Sequence, residues 1–75
     1  MTEQTILTPE QQALIGEKMD LDLKVNSLNV LISSPGFIDP LVTDIHEQTR
    51  IRRQLVCTEG LREVIAERIA AITTN

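Results

Sequence analysis

The densest concentration of reactive charge in this 75-residue chain is Arg50, Arg52 and Arg53, in a sequence with only seven Lys and Arg in all. Guanidinium groups hold phosphates and carboxylates in a bidentate fork, so such a cluster is a candidate anion site. On a helix, however, the three spread over about 150° of arc or more, and Arg50 has Glu47 three residues before it. Two readings follow: a solvated helix face, or a nucleotide-phosphate site completed by another copy of the chain. Arg62, Arg68 and Lys18 are the further cations such a site would draw on. Lys18 and Arg62 differ from the rest because each falls within a stripe of apolar residues. Charges in a helical seam set register or oligomer state, snorkel to its edge, or line a polar pocket. For Arg62 the candidate partners are Glu17, Asp20 and Asp22.

The remaining reactive types stand alone. His46 has no nucleophile or second acid at a spacing that suggests acid–base partnership. Cys57 has Arg50 and Arg53 on its flank, yet its default is an inert thiol. Glu59, Glu63 and Glu67 form a ladder at four-residue steps, which reads as a like-charged, solvated face. One His and one Cys supply too few ligands for a zinc site. Neither a glycine-rich phosphate loop, nor a nucleophile elbow, nor a His-Glu-x-x-His motif occurs. The chain is therefore read as a non-enzyme with no cofactor and no metal.

Composition bounds the rest. A single cysteine provides no disulfide and fits a reducing compartment. A net charge of −4 disfavours nucleic-acid binding, which needs a basic field. With one Phe and neither Trp nor Tyr, the core must be aliphatic. Apolar runs stay far below the roughly 20 residues of a membrane span, and Met1-Thr2-Glu3-Gln4 lacks a basic leader, so the expectation is a soluble, unprocessed, cytoplasmic protein.

The elements that position these side chains are two helices. Thr8-Pro9-Glu10-Gln11 is a helix start, with a capping Thr, Pro at the first helical position and Gln at the capping-box position. From there a heptad seam runs through Leu14, Lys18, Leu21, Val25, Leu28 and Ile32 in steps of four and three. Met19, Leu23 and Val30 lie about 140–180° away from it, on nearly the opposite face. A single partner helix covers one face only, so these three residues mark a surface for another chain. Ser33-Ser34-Pro35-Gly36 ends the helix. Asp39-Pro40 repeats the cap-plus-proline signature and predicts a new helical segment, while Phe37 and Ile38 between the two signals are expected to plug the hairpin's end. A second stripe contains Ile51, Leu55, Thr58, Leu61, Ile65, Ile69 and Ile72. Leu41, Val42 and Ile45 fall outside its arc, so a bend or short turn is expected between Pro40 and about His46.

The predicted organisation is an arm over 1–7 and one helical-hairpin domain over 8–75. Within the domain, a helix spans 9–33, a connection 34–43 and a second helix 44–72. The fold class is all-α: an antiparallel two-helix hairpin, completed as a bundle by a dimer or higher homo-oligomer, because a chain this small buries too little surface alone.

The run Gln54-Leu55-x-x-Thr58-x-x-Leu61-x-x-Val64-Ile65-x-Glu67-Arg68-Ile69, preceded by a helix and a Ser-Pro-Gly-Phe connection, resembles small helical-hairpin proteins of tailed bacteriophages and prophages. That resemblance covers about residues 14–72 and carries no activity with it. In architecture the chain is also similar to hairpin-containing phage proteins that sequester cyclic-nucleotide signals, although the Tyr of a base-stacking pocket is absent. The function expected is a phage-type accessory protein that binds a host protein to inhibit or recruit it, working in the host cytosol. An oligomeric sponge for a nucleotide second messenger is the alternative, and a DNA-binding module a third, disfavoured class.

Overall fold

The computed structural model describes residues 7–73 and consists of two α-helices packed against each other as a hairpin, α1 over Pro9–Ser33 and α2 over Ile45–Thr73. Most of the 1–7 arm lies outside the described residues. Its last residue, Leu7, is half-buried and accepts a hydrogen bond on its carbonyl from the Gln12 side chain at 3.2 Å.

Helix α1 begins at a reciprocal cap, with Pro9 at its first position where no N–H is needed. The Gln11 N–H donates to Thr8 Oγ1 at 3.2 Å, and the Thr8 N–H donates back to Gln11 Oε1 at 2.9 Å, a reciprocal capping box. The helix stops at Ser34, which takes an extended backbone conformation with its N–H on the Leu31 carbonyl. Pro35 enforces that geometry on the residue before it.

Asp39-Pro40 does not start the long helix. The Asp39 carboxylate accepts from the Leu41 N–H at 3.0 Å, and its carbonyl accepts from Val42 and Thr43, which closes a single turn. The start of α2 falls at Asp44, whose carboxylate accepts from the N–H groups of His46 at 3.0 Å and Glu47 at 3.4 Å. Leu41, Val42 and Ile45, the residues outside the apolar arc, are exposed in and beside this turn. Gly36 is required here for a close approach: a Cβ on it would meet Val42 Cγ1 at 2.9 Å. Its φ is not positive, so conformational freedom is not its role.

The core is a single seam. Leu14, Leu21 and Val25 of α1 are buried, as is Ile65 of α2, and Ile69 and Ile72 pack against the cluster. Phe37 is buried to 1% exposure in the connection and closes that end of the seam, whereas Ile38 beside it is 68% exposed and plugs nothing. Among the described residues Gln48 is the buried polar one, and its side chain donates to the Thr43 carbonyl at 3.1 Å, tying the start of α2 to the connection. Leu61, placed by its angle in the apolar stripe of α2, is 47% exposed because it sits at the stripe's edge. The molecule is a rod of 61 × 19 × 17 Å, one layer of helices thick.

Candidate interaction surface

Each charged candidate is positioned by its place on a helix relative to the seam. Lys18 lies on the α1 seam one turn before Asp22 of the same helix, and antiparallel packing brings Arg62 of the α2 stripe to the same carboxylate. Lys18 Nζ reaches Asp22 Oδ2 at 3.0 Å, and Arg62 Nη1 stands 3.6 Å from Asp22 Oδ1. Of the three acids considered for Arg62, Asp22 alone forms this pair among the described residues. All three side chains are partly exposed, between 35% and 38%. The group is thus a snorkelled edge ladder, and Glu59, Glu63 and Ala66 border the same shallow depression.

The arginine cluster does not assemble. Arg50 bonds Glu47 through Nε at 2.9 Å, within its own helix. Arg52 lays its guanidinium over the Phe37 ring, 5.0 Å from the centroid, so it serves as a lid on the buried end of the seam. Arg53 borders an open hollow together with Arg52, Thr49, Val56 and Cys57, and Arg68 is exposed further along α2. Between them these six cations face Asp22, Glu47, an aromatic ring and solvent. No single point collects them.

His46 is exposed near the start of α2, and Cys57 is an exposed free thiol. Among the described residues no group of three or more His, Cys, Asp or Glu is arranged to hold a metal ion, and no helix is long and apolar enough to cross a membrane.

What the helices do present is apolar surface outside the seam. Met19 is 62% exposed, Leu23 65% and Val30 70%, all outside the buried seam of α1, with Leu23 at the rim of the groove toward α2. On α2, Val56 and Val64 are also exposed, and Leu23, Leu28 and Leu61 line a groove between the helices together with Lys24, Gln54 and Thr58. Periodicity of α1 pointed to Met19, Leu23 and Val30. The Arg52–Phe37 contact carried no sequence signal, since neither helical spacing nor charge patterning pairs a residue of the connection with one two turns into α2. Gln48 was similarly silent, although Asp44 with Glu47 three residues on is a recognisable capping pattern that marks the start of α2.

Comparison with known proteins finds no matching family model, no matching curated protein and no matching solved structure.

Proposed function

We propose that this chain is a non-catalytic interaction protein of phage type, which associates with itself and binds a host protein to block or recruit it. The observation that carries this reading is the outer face of α1: three large apolar side chains, each more than 60% exposed, on a helix whose other face already packs against α2. Scattered apolar residues on a surface are ordinary, but a second stripe at helical spacing on one helix is a docking face. The charge arrangement supports the same reading. With Arg50 on Glu47, Arg52 on Phe37 and Arg62 on Asp22, the cations act within the fold, which favours a protein-binding role over a nucleotide sponge. The phage assignment rests on the hairpin pattern of the sequence.

Affinity capture of the tagged chain from bacterial lysate, with mass spectrometry of proteins and small molecules, tests the proposal. One host protein at stoichiometric yield is the expected result. A clean capture contradicts it, and nucleotides retained without protein would replace it with the sponge.

A further inference from the structure

We infer that the outer face of α1 is a second heptad seam on which a second copy of this chain docks, α1 against α1, parallel and in register. This deepens the self-association in the proposed function and rests on that reading. The steps of four and three that define the inner seam recur on the outer face through Gln12, Gly16, Met19, Leu23, Asn26 and Val30. The outer series is offset from the inner one by two residues throughout, so α1 is patterned for two helical neighbours along most of its length. One of those neighbours is α2.

Three observations assign the other place to a copy of the same chain. First, the chain exposes 6011 Å², about 1,400 Å² more than the roughly 4,600 Å² of a compact folded monomer of this mass. A standard interface removes about 800 Å² from each partner, so one self-contact on this face would absorb more than half of the excess. Second, among the described residues the buried apolar side chains are Leu14, Leu21, Val25 and Ile65 of the helices and Phe37 of the connection, a thin core for a chain of this size. A hairpin with so little core gains most from an interface that is present whenever the chain is. Third, the polar members of the outer seam suit a symmetric pairing. Asn26 is exposed on this face between Leu23 and Val30, and in a parallel seam it meets its own copy, where the two side-chain amides can pair. Gly16 has no atom within 4 Å of where its Cβ would stand, so its backbone is open to close approach by another helix.

Charge decides the orientation. An antiparallel pairing centred near Leu21 would set Asp20 against Asp20 of the second copy at the middle of the contact, beside the two Asp22 carboxylates that Lys18 and Arg62 already hold. In the parallel pairing the flanking residues meet five positions apart, so Ile15 lies beside Asp20 and Asp22 beside Ser27 of the second copy. No like charges then face each other. The same acids, with the net charge of −4, make the face a poor fit for nucleic acid or an anionic membrane.

The test uses the full chain with Cys57→Ser as background. Light scattering should give twice the 8.4 kDa chain mass at tens of micromolar, and Leu23→Glu or Val30→Lys should halve it while the helical circular-dichroism signal of the exposed-site variants persists. Adding Asn26→Cys should give a disulfide-linked dimer under mild oxidation. A mixture of Gly16→Cys and Asn26→Cys chains should form no 16-to-26 crosslink. Dimers insensitive to both outer-face variants, or a 16-to-26 crosslink, overturn the inference while leaving self-association standing. A monomer whose outer face captures a host protein, with loss on Leu23→Glu, assigns the face to that protein and overturns the inference alone. A monomer that captures nothing ends both readings.

Discussion

Phe37 and Ile38 are sequence neighbours in the connection with opposite surroundings, 1% and 68% exposed, and that contrast yields a sharp expectation. Phe37→Ala removes a fully buried ring at the end of the seam and leaves Arg52 without the surface it covers. Buried Phe→Ala changes cost about 3–5 kcal/mol through lost burial and the cavity left behind, and the cation–π contact of an exposed Arg adds about 0.5–1 kcal/mol. Whole domains are stable by only about 5–15 kcal/mol, so the loss is a large fraction of what a 75-residue chain has to spend. Ile38→Ala should stay within about 0.5 kcal/mol of the parent. Urea unfolding followed by far-ultraviolet circular dichroism, at one fixed chain concentration, measures both. A loss below about 1 kcal/mol for Phe37→Ala, or equal losses for the two variants, would refute the placement of Phe37 as the stopper of the seam.

Thr8→Ala removes the acceptor of the Gln11 N–H and should cost about 1 kcal/mol, read as a shift in the urea midpoint. Gly36→Ala places a methyl 2.9 Å from Val42 Cγ1 and should destabilise by about 1–3 kcal/mol, with most of it recovered when Val42→Ala is added. Gly60→Ala, in mid-helix with no atom within 4 Å of its Cβ position, should instead stabilise by about 0.5–1 kcal/mol in the same assay. A double-mutant cycle of Asp22→Ala with Arg62→Ala should return a coupling of about 0.2–1 kcal/mol that shrinks with added salt, because both side chains are more than a third exposed.

The hairpin was legible because its two helices carry period as well as punctuation. Leu14, Leu21 and Val25 are buried at the positions their heptad spacing assigns, and the capping box at Thr8 locates the start of α1 to the residue. The start of α2 was legible in the apolar arc: Leu41, Val42 and Ile45 fall outside it, which puts a turn between Pro40 and about His46, and in the structure Asp39 caps that turn and Asp44 the long helix. For the charges, spacing offered three acids on α1 as candidate partners for Arg62. Only the axial register of the two helices selects Asp22. The arginine triplet shows the reverse case: adjacency in sequence suggested a shared site, and helical geometry sends Arg50 and Arg52 to different partners.

The proposed dimer covers the outer face of α1 as part of folding. The melting temperature measured across a hundredfold range of chain concentration tests that most directly, because unfolding coupled to dissociation depends on concentration by mass action. The parent chain should melt several degrees higher at the top of the range, and Leu23→Glu should show no such rise. A melting temperature that is independent of concentration in the parent chain would contradict it.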